Sequence, residues 1–236
     1  MSKLFDKLSK DIRFKDGLNA CISCGVCTAI CPAAAFYKYS PRLIMTTVQT
    51  KDEKKIDDLL NEDTVWYCGE CMSCKTRCPR KNVPGLVIEA LRSLSQELGH
   101  FTESEKGRQQ FAIKRTVGEE ILKYGYCVHP DAAIYEMHPE QGPVWEWYTE
   151  NLSVMVDRLG GNYNKEGAGA LRKMSEKTMD ELNKIFDVSG GSERFENIEK
   201  YSKKKAKELG WEFKDEGIDN EYFTHTFCDN NNKHTK

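Results

Sequence analysis

The sequence predicts an all-α protein, and three observations carry that prediction. The 36 residues between Cys31 and Cys68 never alternate apolar and polar positions as strands do. Behind the second cysteine run, Val87, Leu91, Leu94 and Leu98 recur at helical spacing between an opening Pro84 and a closing Gly99. Further apolar faces at the same spacing continue to about Leu209, each bounded by Pro, Gly or Ser.

Taken in order, residues 28–37 are rich in alanine and suit a helix. Pro41 is placed to open a second short helix through Val48, and residues 52–60 set Ile56, Leu59 and Leu60 on one side of a third. The helix from Pro84 follows. Residues 104–124 read as a helix with Ile113, Val117, Ile121 and Tyr124 on one face. After the loop-rich residues 125–130 and 137–142, Pro143 opens a helix that aligns Val144, Tyr148, Leu152, Met155 and Leu159 and stops at Gly160 and Gly161. Residues 168–187 form another, with Leu171, Met174, Leu182 and Ile185 inward, closed by Gly190 and Gly191. Ser192 is the expected N-cap of the last, which turns Phe195, Ile198 and Leu209 inward. Beyond Trp211 the chain reads as polar and is expected to be mobile.

Composition narrows the function classes. The 236 residues are 39% hydrophobic and 31% charged, the balance of a soluble globular chain. With 35 basic and 37 acidic residues the net charge is -2, so no global field favours nucleic acid or an anionic membrane. No apolar run approaches the ~20 residues of a membrane-spanning helix, and the amphipathic, mixed-charge N-terminus lacks the marks of a signal peptide. A cytoplasmic location is expected. Thiols stay reduced there, so ten cysteines do not read as a disulfide framework.

Eight of the ten fall in two runs. Cys21-Ile22-Ser23-Cys24-Gly25-Val26-Cys27-Thr28-Ala29-Ile30-Cys31-Pro32 and Cys68-Gly69-Glu70-Cys71-Met72-Ser73-Cys74-Lys75-Thr76-Arg77-Cys78-Pro79 both read C-x2-C-x2-C-x3-C-P. This is the bacterial iron–sulfur spacing. Three cysteines at two-residue intervals let one loop offer three thiolates to one cubane. The fourth lies a helical turn further on and ligates the other cluster in two-cluster proteins, while its proline fixes the departing chain. The spacing therefore predicts two [4Fe–4S] clusters, one on Cys21, Cys24, Cys27 and Cys78, the other on Cys68, Cys71, Cys74 and Cys31. Zinc ribbons split two cysteine pairs by a longer insertion and do not place four cysteines in eleven residues. A cubane closed by four thiolates has no iron open to substrate, which points to an electron relay. Gly25 and Gly69 lie inside the loops, where a missing side chain is expected to admit backbone N–H groups to the cluster sulfides.

A helical domain carrying this doubled motif resembles the alpha-helical ferredoxins, and within them the C subunits of heterodisulfide reductase. The resemblance covers about residues 12–125 and rests on the doubled motif, the lead-in Val65-Trp66-Tyr67-Cys68, the helix start Pro41-Arg42-Leu43-Ile44-Met45 and the exit Val83-Pro84-Gly85-Leu86. It implies a protein with two cubanes that exchanges electrons with two partners, a B-like protein with CCG domains and an A-like protein that binds flavin. The C-terminal extension is similar to the C subunits of the bacterial sulfur-oxidising version of this complex. Residues 1–125 are accordingly expected to be the two-cluster domain, 126–210 a helical extension for docking onto the complex, and 211–236 a flexible tail. Two alternatives remain open at this point: the iron–sulfur subunit of a flavin dehydrogenase, and a freely diffusing two-cluster carrier.

Other features are read as structural. Cys127, His129 and His138 are too few and scattered for a third metal site, and Cys127 is expected to be a small buried hydrophobe. Nothing beside Cys228 would activate its thiol. Lys203, Lys204 and Lys205 read as a solvated helix face beside Glu199 and Glu208, and Trp145, Trp147 and Tyr148 as helix packing. There is no G-x-G-x-x-G, no phosphate-binding loop, and no recognisable nucleophile or acid–base pair.

Overall fold

A computed structural model of the chain describes residues 3–131, Tyr135 and 142–227. Helices and helical turns are the only regular elements among these residues. Two short helices open the chain, α1 (Lys3–Leu8) and α2 (Ile12–Gly17), the second capped by Asp11, which accepts from the Arg13 amide at 2.8 Å. The single helix expected over residues 28–37 is divided into α3 (Val26–Ala29) and a 3-10 turn, Pro32–Ala35, because Pro32 brings no amide to continue the ladder. α4 (Pro41–Gln49) begins at its proline with Ser40 as N-cap. α5 (Glu53–Asn61) is capped by Asp52, which accepts from the Lys55 amide at 3.2 Å. A 3-10 turn, Asp63–Tyr67, and α6 (Ser73–Arg77) lead to α7 (Pro84–Leu98), which Gly99 ends in the left-handed region at φ 83°.

These elements close a first core. Leu8, Phe14, Ile44, Met45, Val48, Ile56, Leu60, Val87 and Leu91 meet in it, each worth about 1.5–3 kcal/mol when fully buried. α2 lies against α7 with no room to spare: a Cβ on Gly17 would stand 2.8 Å from Val87 Cγ2. The Gly17 carbonyl accepts from the Val83 amide at 2.8 Å. Both cysteine runs leave this scaffold as loops.

After a 3-10 turn, His100–Glu103, α8 (Glu105–Ile113) passes through one π turn, Lys114–Gly118, into α9 (Glu119–Tyr124). The expected inward face of this stretch is corrected. Ile113 is 50% exposed, while Phe111, Ala112 and Arg115 are buried, and the wider turn that follows shifts the helical register again. α10 (Pro143–Glu150) and α11 (Leu152–Arg158) replace the one helix expected over 143–159. Asn151 divides them: its side-chain amide donates to the Trp147 carbonyl at 2.9 Å and closes α10. Leu152 and Val156 bury, whereas Val144 and Leu159 stay exposed, and no residue of α10 is buried, Trp145, Trp147 and Tyr148 included.

α12 (Glu176–Val188) starts later than expected, because the Asn162 and Asn164 amides hold the carbonyls of Ala170 and Leu171 in a loop. It buries none of its residues, and Ile185 is 63% exposed. α13 (Gly191–Leu209) is capped by Gly190 rather than Ser192; it buries Ile198 and Ala206 but leaves Leu209 exposed. The largest correction lies beyond Trp211. Residues 221–227 are not a mobile tail but a helix, α14 (Glu221–Phe227), with Tyr222, Phe223 and Thr226 buried. The Phe111 ring meets those of Phe213, Tyr222 and Phe223 at 5.3, 5.2 and 6.4 Å, which explains the burial. Phe101, Phe111, Ile198, Ala206, Tyr222 and Phe223 form this second core, and Trp66 packs against both cores. Apolar contacts thus divide near Gly99, within the segment 1–125.

Arg115 fastens the returning chain. Its guanidinium donates to Glu199 at 2.7 and 2.6 Å and to the carbonyls of Lys214, Asp215 and Gly217 at 3.1, 3.0 and 2.6 Å. All three nitrogens of this buried guanidinium donate in that set.

Candidate metal centre

The two cysteine loops have the same backbone shape. Ser23 and Gly25 in the first, and Glu70 and Met72 in the second, all lie in the left-handed region, with φ of 57°, 83°, 52° and 56°. In each loop these are the second and fourth residues after the first cysteine, and the second of them caps a short helix, α3 or α6. Alternation of this kind turns successive amides to the inside of the loop, the arrangement that cradles anionic groups. The paired roles expected of Gly25 and Gly69 are therefore corrected. Met72, not Gly69, is the counterpart of Gly25, and Gly69 keeps an ordinary φ.

The runs line two neighbouring cavities on the first core. Cys21, Cys24, Cys27 and Cys78 line one, together with Arg42, Arg80 and Asn82. Cys31, Cys68, Cys71 and Cys74 line the other, a space of about 250 Å³ walled by Phe36, Tyr39, Tyr67 and Ile88; Cys27 reaches it as well. Thus the fourth cysteine of each run stands with the first three of the other. Cys127 lies elsewhere and is exposed, which corrects its expected burial. His129 is buried instead and stacks on Tyr124 at 4.0 Å. Cys228 and His138 lie outside the described residues.

Residues other than the cysteines hold the loops in place. Gln49, at the end of α4, accepts from the Cys21 amide at 2.7 Å and donates to the Cys21 carbonyl at 3.1 Å. Arg92 of α7 donates to the carbonyls of Val65 and Cys68 at 2.8 and 2.6 Å and pairs with Glu70. The Thr28 and Ser40 hydroxyls meet at 2.9 Å and tie α3 to the start of α4. Gly85 leaves room for Met72: a Cβ there would stand 2.7 Å from Met72 Sδ and push that side chain aside. Thr28 and Glu70, inside the runs, and Asn82 and Gly85, just beyond the second, were within reach of sequence reasoning; Gln49 and Arg92 are distant in the chain.

Several sulfurs already have donors. Cys78 Sγ accepts from the Asn82 amide at 3.3 Å and from Asn82 Nδ2 at 3.6 Å, and Cys21 Sγ from the Ser23 amide at 3.4 Å. The Ser73 hydroxyl lies 3.4 Å from Cys71 Sγ and holds that thiol below its ordinary range. Burial pushes the thiols of Cys27, Cys68 and Cys74 up. Burial thus disfavours these thiolates until a cation balances their charge. Among the described residues no three His, Cys, Asp or Glu side chains converge closely enough for a single ion. Four soft sulfurs spread around each cavity suit a cluster that presents its irons at separate corners. The donor set fits two [4Fe–4S] groups.

Comparison with known proteins points the same way. Residues 17–82 match the family described as the 4Fe-4S dicluster domain. The chain is 34% identical to the C subunit of the ferredoxin:CoB-CoM heterodisulfide reductase of Methanosarcina acetivorans, over 66% of this chain and 60% of that one. It is 30% identical to the iron-sulfur C 2 subunit of the CoB–CoM heterodisulfide reductase of Methanocaldococcus jannaschii, over 53% of this chain and 60% of that one. The chain is thus similar to the C subunits of heterodisulfide reductases. A further C subunit, from the H(2):CoB-CoM heterodisulfide,ferredoxin reductase of Methanothermobacter marburgensis, is 33% identical over 45% of this chain and 56% of its own length. The chain spans about 60% of the length of the first two relatives. No helix among its described residues is long and apolar enough to cross a membrane.

Proposed function

We propose that this chain relays electrons through two [4Fe–4S] clusters within a heterodisulfide-reductase-like complex, between two partners, one that binds flavin and one whose CCG domains carry the disulfide chemistry. Cys21, Cys24, Cys27 and Cys78 hold one cluster, and Cys68, Cys71, Cys74 and Cys31 the other. The observation that carries this reading is the division of eight cysteines over two adjoining cavities, with Cys27 on the wall of both. When bound, each cluster supplies one-electron chemistry with no iron left open for substrate. The chain's own part is to hold the sulfurs. Gln49 and Arg92 fix the first cysteine of each run through its backbone, Asn82 supplies donors to Cys78, and Gly85 and Ile88 of α7 wall the larger cavity. The relatives' names support the assignment to a complex.

Anaerobically purified protein should contain about eight irons per chain, two cubanes by the motif count; about two zinc ions instead would overturn the reading. Replacing Cys78 by Ser should alter the EPR signal of the cluster on Cys21, Cys24 and Cys27 and spare the other. The reverse pattern would refute the cross-ligation. Purification from the native host should bring the flavin and CCG-domain partners along, and a chain recovered alone would favour a free carrier.

A further inference from the structure

Tyr39 carries an unsatisfied hydroxyl in the wall of the larger cavity. The residue is 4% exposed, and its oxygen is buried with no hydrogen bond. Native interiors rarely leave such a group unmet. The ring cannot turn away: it packs edge-on against Tyr67 at 6.2 Å, and Tyr67 stacks on Tyr37 at 4.4 Å. Around it stand Cys31, Cys68, Cys71 and Cys74. Cys68 is the sulfur near enough to pair with the hydroxyl. The repeat does not reproduce the feature. Tyr39 stands seven residues after Pro32, and Leu86 stands seven after Pro79.

Resting on the two-cluster reading above, we propose that Tyr39 is a positioning residue for electron transfer, its O–H donating to the Cys68 thiolate and raising the reduction potential of the cluster held by Cys31, Cys68, Cys71 and Cys74. The sign follows from charge. One electron gained adds one negative charge, part of it on sulfur, and a donor aimed at that sulfur stabilises the reduced state more than the oxidised one. The phenol keeps its proton in both states, since it ionises only near pH 10 even in water. One electron enters and one leaves, and no proton moves.

The test is an EPR-monitored redox titration of the full-length, anaerobically purified protein and its Tyr39→Phe variant. In the variant, the signal that Cys78→Ser spares should shift to more negative potential, with the other signal unmoved and the iron content unchanged. No shift, a positive shift, or a shift confined to the other signal would overturn the proposal. Should Tyr39→Phe lose its cluster, 3-fluorotyrosine at position 39 decides: a stronger donor of the same shape must move that signal the opposite way. Failure of the underlying reading looks different, because the unmodified protein would then hold fewer than two cubanes.

Discussion

Asn82 does three things at once. It is 2% exposed, it offers its backbone and side-chain N–H groups to Cys78 Sγ, and its Oδ1 accepts from the Asn19 amide at 2.7 Å. Leucine there keeps the branched skeleton but orphans the Asn19 amide, which should cost about 1–3 kcal/mol. Asn82→Leu should therefore lower the urea midpoint and also move the EPR signal of the cluster on Cys21, Cys24 and Cys27. A change in stability alone would leave Asn82 a purely structural residue. The cysteines themselves were legible because ligand spacing is local. Tyr39, Gln49 and Arg92 were not, because their roles arise only when α4 and α7 fold back over the loops.

Among the elements, α7 was the most legible, with its proline start, its apolar stripe and its glycine stop all within one continuous stretch. The α8–α9 helix was the least so, because a π turn shifts the register and nothing local announces it. Gly99 shows how closely an element end is fitted. It combines φ of 83° with the Tyr201 ring of α13 at 2.5 Å from where a Cβ would sit. Gly99→Ala should cost about 1–3 kcal/mol as overpacking, plus about 1 kcal/mol of backbone strain. Because this contact joins α7 to α13, thermal unfolding of the variant should lose its single step if the two cores then melt apart; an unchanged melting curve would contradict the fit.

For the whole molecule, the second core depends on the end of the chain. Tyr222 and Phe223 lie in a short apolar stretch between polar segments, and without their partner Phe111 they read as tail. Phe223→Ala should cost about 3–5 kcal/mol, read as a lowered denaturant midpoint with the iron content retained. An acid titration gives a separate check. The Lys205 side chain donates to Glu103 at 2.7 Å and holds that carboxyl below its ordinary range, and Arg13 does the same for Asp11. Each folded-state pKa is depressed, so the stabilisation is complete above the usual carboxylate range and fades as pH falls through the lowered values. Both pairs are only partly buried and remain screened by solvent, so the effect is small. Lys205→Met should have a slightly lower melting temperature than the parent at pH 7, and that gap should close near pH 3; a constant gap would show that Lys205 acts through packing alone.

The split between the cores sets an order of manufacture. Every buried side chain of the first core lies between Leu4 and Leu94, whereas the second must wait for Phe223. At a synthesis rate of about 5–20 residues per second, the ribosome needs roughly 6–25 s to cover that interval. The cysteine loops therefore have their supporting scaffold, and a clear approach for whatever delivers iron and sulfide, before α14 arrives to close the far end. Chains arrested on the ribosome soon after residue 130 should already resist protease over residues 3–98.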